Sequence, residues 1–250
     1  MADSVPFVRD DVRAFLTMLE GLNRPDISEV PLSETRAMMA AMQEFAQVPP
    51  REIALVEDLA CPGPAGEIPL RLYDPRGMRG PSPLLVFIHG GGFVAGSVES
   101  YHRFCTLVAA EMDLPLVSVE YRLAPEHPFP AAPDDCEAAA RWLAASPPGL
   151  GFAVTGLIPL GDSAGGNMAL VLEQALRAAP AGVPVIMQVP IYPICDDFRQ
   201  HPSSRELGEG YMLTDSVMDF FEDCYRADKS SAKLYPILGE LAGTAPTVLL

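Results

Sequence analysis

Residues 161–166 read Gly-Asp-Ser-Ala-Gly-Gly, and this segment constrains the fold more than any other part of the chain. An apolar run, 157–160, precedes it, and a helix-forming run, 167–172, follows it. A strand, a tight turn that carries a serine, and a helix form the context that a nucleophile elbow requires. Gly161 and Gly165 lie two positions before and after Ser163, where a side chain would collide with the neighbouring strand and helix. The pentapeptide alone fits an ordinary glycine- and serine-rich turn equally well, so other segments must decide between the two interpretations.

A second glycine-rich segment, 89–93, reads His-Gly-Gly-Gly-Phe and follows the apolar run 84–88. This order predicts a loop at the end of a buried strand. Glycines in such a loop leave backbone N–H groups free to point at an anion. In acyl transfer the tetrahedral intermediate carries negative charge on oxygen, and positioned amides stabilise that charge by a few kcal/mol. We expect Gly91, Gly92 and Ala164 to supply these amides.

A third segment, 121–130, reads Tyr-Arg-Leu-Ala-Pro-Glu-His-Pro-Phe-Pro and by itself indicates only a structural loop. In this order and spacing, the three segments resemble the motifs of the bacterial hormone-sensitive-lipase-like family of carboxylesterases. The resemblance implies an α/β-hydrolase sheet, a small N-terminal cap and a Ser-His-Asp triad. It also implies that Ser163 is the nucleophile and that Gly91, Gly92 and Ala164 form the oxyanion hole.

The acid and the base of that triad have no counterpart in this sequence. The family carries them in D-P-L-x-D-E and H-x-F stretches after late strands, in the order Ser, acid, His. Here residues 245–250 resemble the strand that leads to the acid, and neither stretch is present. We therefore expect a chain that stops before its catalytic Asp and His, with the C-terminal part of the fold missing and proton transfer impaired.

Other histidines and aspartates are expected to serve different purposes. The base must lie within hydrogen-bond reach of Ser163, and no histidine of the chain is expected there. His89 belongs to the glycine loop and His102 to a predicted helix start. His127 belongs to the proline-rich loop and His201 to a polar connection. Asp162 is expected to point away from the serine, and Asp196 precedes the strand expected to carry the acid, so neither is assigned as the catalytic acid.

The N-terminal residues 7–47 carry apolar side chains at helical spacing, which predicts two amphipathic helices separated by prolines. By the family resemblance, residues 1–50 form a helical cap and residues 51–250 form the α/β-hydrolase core, incomplete at its C-terminus. Methionines of the cap are candidates to line an acyl pocket because thioethers adapt to irregular apolar shapes. Packing of the cap onto the core is the simpler explanation at each position.

Beyond the cap, the sequence predicts two exposed antiparallel strands, 53–59 and 68–73, joined through 62–64. Apolar strands then alternate with helices, which predicts a mostly parallel sheet covered on both faces. These strands are expected at 84–88, 116–119, 157–160 and 185–191. Thr214 is expected to cap a later helix that reaches Tyr225. The candidate pocket residues, which ordinary packing would also explain, are Phe93, Phe198, Tyr211, Met212 and Phe220.

Composition restricts the partners. A net charge of −16 on 250 residues argues against nucleic acid or an anionic membrane as a partner, whereas neutral small-molecule esters suffer no such repulsion. No basic segment followed by an apolar core opens the chain, and no stretch approaches the length of a membrane span, so we expect a soluble, cytoplasmic protein. The five cysteines lack metal-ligand spacing. Buried free thiols are expected, and neither a metal nor an organic cofactor is implied.

The sequence thus predicts a carboxylic ester hydrolase for short- to medium-chain acyl esters, with activity impaired if the chain ends at Leu250. A complete chain is expected to form a homodimer, because the family joins subunits through its last strands. A truncated chain would instead leave the apolar segment 247–250 as an exposed sheet edge. One alternative is a catalytically inactive ligand-binding protein, like the plant gibberellin receptors that resemble this family. Another is a decayed reading frame without function.

Overall fold

A single sheet with parallel strands at its centre organises the protein. The computed structural model describes residues 7–22, 25–27, 29–46 and 48–250. Its strands are β1 (Leu55–Gly63), β2 (Gly66–Asp74), β3 (Ser82–Ile88), β4 (Leu116–Val119), β5 (Val154–Asp162) and β6 (Val189–Ile191). Within the described residues they form one sheet in the order β1-β2-β4-β3-β5-β6. The pairs β4-β3, β3-β5 and β5-β6 are parallel, and β1-β2 and β2-β4 are antiparallel.

Two helices precede the sheet, and the others connect its parallel strands or follow them. The helices are α1 (Asp10–Gly21), α2 (Leu32–Ala46), α3 (His102–Met112), α4 (Ala131–Ala144), α5 (Ala164–Ala178), α6 (Pro202–Leu207) and α7 (Asp215–Tyr225). Short 3-10 helices lie at Pro148–Leu150, Phe198–Gln200 and Pro236–Leu238. The Thr214 side chain accepts a hydrogen bond from the Val217 amide at 3.4 Å, so it caps α7 as the sequence predicts.

The central strands are apolar on both faces. β4 is buried along its whole length, and β3 is buried except at Pro83. Strands buried on both faces are typical of a parallel sheet covered by helices. The α/β architecture with a mostly parallel sheet, predicted from the alternation of strands and helices, is therefore confirmed.

The first two strands differ from the prediction in burial and in their turn. β2 was expected to be exposed, yet most of its second half is buried, because β2 pairs with β4 as well as with β1. The turn was expected through residues 62–64. Instead β1 continues to Gly63, which pairs with Gly66, and Pro64 and Ala65 form a two-residue hairpin loop.

The last strand is shorter than predicted. A strand was expected over 185–191, but β6 contains only Val189–Ile191, and Val185 forms an isolated bridge with Leu157. The Gln188 amide bonds instead to the carbonyl of Pro246 at 2.9 Å, on the side away from β5. Residues 246–250 run beside β6 through further bonds, such as Val248 N–H to Gln188 O at 3.0 Å, and Leu250 is exposed.

The N-terminal helices lie at the surface. No residue of α1 is fully buried, so its amphipathic pattern corresponds to partial packing only. α2 is attached more firmly, since Thr35 is buried and Met39 packs against the main apolar core. Phe45, near the C-terminal end of this helix, is 73% exposed, so not all of the apolar positions that predicted the helix are buried. Gln47, the end of the predicted second helix, lies outside the described residues. Among the described residues, no helix is long and apolar enough to cross a membrane.

Candidate active site

The turn between β5 and α5 holds Ser163 in a conformation that few residues adopt. Its φ is 52° and its ψ is −116°, in a region that L-residues with a side chain normally avoid. The Ser163 amide donates to the carbonyl of Ile191 in β6 at 2.9 Å. The Ser163 carbonyl accepts from the Asn167 amide at 2.9 Å, which begins the hydrogen-bond ladder of α5. These two bonds fix the turn between an edge strand and a helix.

Glycines around Ser163 allow the turn to touch the end of β3. A Cβ at Gly165 would overlap the carbonyl oxygen of Ile88 and would lie 2.7 Å from that of His89. A Cβ at Gly161 would also overlap the Ile88 oxygen. Both distances are shorter than real Cβ atoms tolerate, so only glycine fits at either position. The serine turn therefore packs directly against the start of the glycine loop.

Residues 89–93 form a tight loop with a left-handed backbone. Gly91 has φ +120°, Gly92 has φ +62° and Phe93 has φ +63°. The amides of Val94 and Ala95 both donate to the Gly91 carbonyl, at 3.1 and 2.9 Å, and close the loop. The Gly91 and Gly92 amides do not take part in these hydrogen bonds within the loop. An amide that donates to the oxygen of a bound molecule must be free in this way.

A hydrogen bond joins the glycine loop to the serine turn. The Gly90 amide donates to Oδ1 of Asp162 at 2.9 Å, and the Tyr101 hydroxyl donates to Oδ2 at 2.8 Å. The Gly90 amide already donates to Asp162, so it differs from the Gly91 and Gly92 amides, which are the expected donors to an oxyanion. Burial raises the pKa of the Asp162 carboxyl, and the hydrogen bonds from Tyr101 and Gly90 oppose that rise. Asp162 thus faces the glycine loop and not the serine, as expected.

His89 is a buried structural residue. Its ring stacks on Tyr121 at a centroid distance of 4.2 Å, and its Nδ1 lies 2.8 Å from the Gly90 carbonyl oxygen. The Tyr121 hydroxyl donates to the His89 carbonyl at 2.8 Å. Burial lowers the pKa of His89 from 6.5 to about 4, so the ring is neutral at pH 7.

The other three histidines occupy separate positions. His102 begins α3 with its ring 5.6 Å from that of Tyr73, and its Nδ1 is buried. His127 is exposed, and His201 Nε2 lies 3.7 Å from the Asp196 carboxylate near the surface. Among the described residues, no hydrogen bond joins a histidine ring to the Ser163 hydroxyl.

Helix α7 covers the glycine loop through two aromatic residues. A Cβ at Gly92 would lie 2.6 Å from the Phe221 ring, so that ring lies directly against the loop. Tyr225 stacks on Phe93 with ring centroids 3.9 Å apart. Phe220 is the residue of this helix predicted from the sequence as a pocket candidate, and Phe221 is not among the predicted residues. The signal was the spacing of four between Val217, Phe221 and Tyr225, which are the buried residues of α7.

The candidate pocket residues lie in different environments. Phe93 is only 4% exposed and belongs to the main apolar core. Tyr211 and Phe220 are half-buried, whereas Met212 is 46% exposed and has φ +71°. Phe198 is half-buried, with the Arg199 guanidinium 4.5 Å above its ring. The structure places Phe93 in the glycine loop itself and the others on or before α7.

The cysteines are free, and Cys61, Cys105 and Cys136 are buried. Burial raises the pKa of the Cys61 thiol to about 11 and also raises those of Cys105 and Cys136. Thiolates, the reactive form of cysteine, are therefore scarce at these three positions at neutral pH.

Comparison with known proteins agrees with the fold described above. Residues 85–250 match the family model described as alpha/beta hydrolase fold. The chain is 40% identical over 224 residues to the carboxylic ester hydrolase LipN of Mycobacterium tuberculosis, covering 86% of this chain and 59% of LipN. It is 36% identical over 191 residues to an ethyl acetate hydrolase of Pseudomonas putida, covering 73% of this chain and 59% of that protein.

Solved structures show the same fold. An alpha/beta hydrolase enzyme from the metagenome of Lake Arreo, Spain, superimposes with a TM-score of 0.89 at 35% identity, covering 96% of this chain and 78% of that one. A hyperthermophilic esterase from the archaeon Pyrobaculum calidifontis gives a TM-score of 0.87 at 32% identity, covering 97% of this chain and 79% of that one. The chain spans about three fifths of the length of the two curated relatives.

Proposed function

Because the chain belongs to the hormone-sensitive-lipase-like carboxylesterase family of α/β-hydrolases, we propose that it hydrolyses carboxylic esters by acyl transfer to Ser163. The proposed substrates are small, neutral esters of short- to medium-chain acids. In support, two of its relatives are named carboxylic ester hydrolase and ethyl acetate hydrolase. The negative net charge of the chain also disfavours anionic substrates.

One observation carries the proposal: the strained Ser163 turn lies directly against the glycine loop. In the proposed first step, Ser163 Oγ attacks the ester carbonyl carbon, and the carbonyl oxygen becomes an oxyanion. The amides of Gly91, Gly92 and Ala164 would donate hydrogen bonds to that oxygen. The alcohol then leaves and an acyl-serine remains. Water attacks the acyl-serine in the second step, releases the acid and restores the hydroxyl.

Residues 1–50 are proposed to act as a cap over this site. Support comes from α2, whose Arg36 donates to the carbonyls of Val94 and Ala124, at 2.8 and 3.0 Å. Val94 directly follows the glycine loop, and Ala124 lies in the 121–130 loop. The hydrogen bonds of Arg36 therefore attach α2 next to the proposed oxyanion hole. Met212 and Tyr211 are proposed to contribute to the acyl pocket.

Labelling with a p-nitrophenyl alkylphosphonate tests the nucleophile. Ser163 Oγ would form a bond to phosphorus, p-nitrophenolate would leave, and the serine proton would pass to solvent. We expect wild-type protein to gain one alkylphosphonyl group on the peptide that contains Ser163, and Ser163→Ala to gain none. Equal labelling of both proteins, or a label at another residue, would contradict the proposal.

A second candidate is a ligand-binding protein of the same fold that does not turn over its ligand. The observation that favours it is that, among the described residues, none of the four histidine rings makes a hydrogen bond to the Ser163 hydroxyl. Without a base, the serine loses its proton slowly. This candidate predicts saturable binding of p-nitrophenyl butyrate with no release of p-nitrophenol above that of Ser163→Ala. Release that depends on Ser163 excludes it.

A further inference from the structure

The carboxylate of Asp162 has a position that neither nucleophilic attack nor oxyanion binding explains. Asp162 immediately precedes Ser163, and its Oδ1 accepts the amide of Gly90, the residue that immediately precedes Gly91. One hydrogen bond therefore connects the two segments whose relative position decides where an oxyanion would lie. A Cβ at Gly90 would overlap Oδ2 of Asp162, so glycine at this position makes the approach of the carboxylate possible.

Tyr101 determines the orientation of that carboxylate. Its hydroxyl donates to Oδ2 at 2.8 Å, and the ring packs against Phe87 and His89 with centroid distances of 5.4 and 5.8 Å. An aromatic ring with two rotatable bonds, packed on two sides, delivers its hydroxyl with little freedom. Without this donor, Oδ2 would be a half-buried carboxylate oxygen lacking a hydrogen bond, and the side chain would rotate toward water.

We propose that Tyr101 and Asp162 are positioning residues that set the distance between the Gly91 and Gly92 amides and the Ser163 hydroxyl. Neither is proposed to touch the substrate. The inference rests on the proposed function, because it concerns the oxyanion hole of that reaction. Amides stabilise an oxyanion only when they are held within about 0.5 Å of the productive position, so a shift of the Gly90 contact would weaken catalysis.

In this proposal Asp162 acts through the geometry of its hydrogen bonds and not through its negative charge. A carboxylate close to the site where negative charge develops opposes that development. Asparagine in place of Asp162 keeps both contacts, since its oxygen accepts from the Gly90 amide and its NH₂ group donates to the Tyr101 oxygen. Alanine removes both. The two substitutions therefore separate the geometry of the contact from its charge.

The test measures the second-order rate of Ser163 phosphonylation and, for p-nitrophenyl butyrate, kcat and KM separately. Tyr101→Phe removes only the hydroxyl. Its matched control is Tyr73→Phe, because Tyr73 is buried in the same aromatic region and, among the described residues, its hydroxyl makes no hydrogen bond to the serine turn or to the glycine loop. We expect Tyr101→Phe to lower the phosphonylation rate and kcat about tenfold with KM unchanged, since the lost stabilisation is specific to the transition state. Tyr73→Phe should leave all three values at the wild-type level.

The Asp162 variants complete the test. Asp162→Asn should stay within about threefold of wild type, and Asp162→Ala should lose about a hundredfold, which is the effect of one oxyanion donor. Amide hydrogen exchange at Gly90 provides a readout independent of activity, and it should accelerate in Tyr101→Phe but not in Tyr73→Phe. This exchange measurement and Tyr101→Phe keep the test decisive if Asp162→Ala does not fold.

Three results would overturn the inference. Tyr101→Phe could match Tyr73→Phe in rate, or Gly90 exchange could accelerate while phosphonylation stays at the wild-type rate. Asp162→Asn could also be as slow as Asp162→Ala, which would assign the effect to charge. Failure of the proposed function looks different, because wild-type protein would then not be phosphonylated at Ser163 at all, and the inference would fall with it.

Discussion

The Arg36 guanidinium donates from Nε to the carbonyl oxygen of Val94 at 2.8 Å. Arg36 lies in α2, and Val94 follows the glycine loop directly. The same guanidinium reaches the carbonyl of Ala124 and forms a two-pronged ion pair with Glu126, at 2.8 and 2.7 Å. A single side chain thus attaches an N-terminal helix to two loops of the core. Its planar group of donors suits this task, which the single ammonium of lysine could not perform.

The backbone contacts of Arg36 should matter more than its ion pair. Glu126 is 50% exposed at its side chain, so Glu126→Gln should lower the free energy of unfolding by less than about 1 kcal/mol. Arg36→Met removes the ion pair and also the hydrogen bonds to two carbonyls, so it should lower the free energy of unfolding by about 2 kcal/mol. Urea denaturation of both variants measures the difference. Equal losses would show that the ion pair dominates.

The strained backbone of Ser163 predicts an unusual order of stability among its variants. Ser163→Ala keeps a Cβ at φ 52°, whereas Ser163→Gly removes the steric cost of that conformation. Both variants lack the hydroxyl. We expect Ser163→Gly to be about 1 kcal/mol more stable than Ser163→Ala, despite the larger entropy of glycine in the unfolded chain. Thermal unfolding of the pair checks this, and the reverse order would argue that the turn is relaxed.

The contact between the serine turn and β3 predicts that Gly165 tolerates no side chain. A Cβ there would overlap the Ile88 carbonyl oxygen, which belongs to a central strand and cannot move aside. Gly165→Ala should therefore lower the free energy of unfolding by about 3 kcal/mol or more. Gly80 is the control, because a Cβ at Gly80 meets no atom within 4 Å. Gly80→Ala should change stability by no more than about 0.5 kcal/mol in the same urea titration.

Burial of His89 predicts a loss of stability in acid. Its pKa falls from 6.5 to about 4 on folding, so between these values the unfolded chain binds a proton that the folded chain does not. Stability from this residue is therefore complete above pH 6.5 and declines by about 3 kcal/mol as the pH falls to 4.

The difference between wild type and His89→Gln isolates this effect. Burial raises the pKa of Asp162 and of Glu120, and a carboxyl with a raised pKa stabilises the folded state as the pH falls. Both carboxyls are present in the two proteins, so their effect cancels in the difference. Denaturation curves at pH 7, 5.5 and 4 should show a shallower decline for His89→Gln. Parallel declines would mean that His89 is protonated without cost in the folded protein.

Much of the fold followed from the sequence because its parts agree with one another. The bounds of β4, residues 116–119, were predicted to the residue, since local pattern and tertiary environment favour the same structure there. The glycine loop and the serine turn were also expected to lie together. That expectation rested on motif order, and the contact of Gly165 with the end of β3 supplies its physical basis.

The remaining features depend on distant contacts that no local pattern contains. β6 is shorter than predicted because its pairing with β5 is interrupted. Leu157 pairs with Val185 and Leu160 pairs with Val189, so one extra residue lies on the β6 side between the two pairs. Phe221 could have been selected over Phe220 from its helical spacing, but its contact with Gly92 could not. The hydrogen bond from Tyr101 to Asp162 joins residues 61 positions apart in the sequence, and nothing in either segment indicates it.

The conformation of Ser163 depends on the least secure part of the sheet. Its amide is held by the Ile191 carbonyl, and Ile191 ends a strand of three residues whose outer neighbour is the exposed segment 246–250. A short strand near an edge detaches at a lower temperature than the central strands. Heating would therefore release the serine from its strained turn while β3, β4 and β5 remain paired. The upper temperature limit of the site is then set by β6 and by whatever covers its outer side, and the melting of the core comes later.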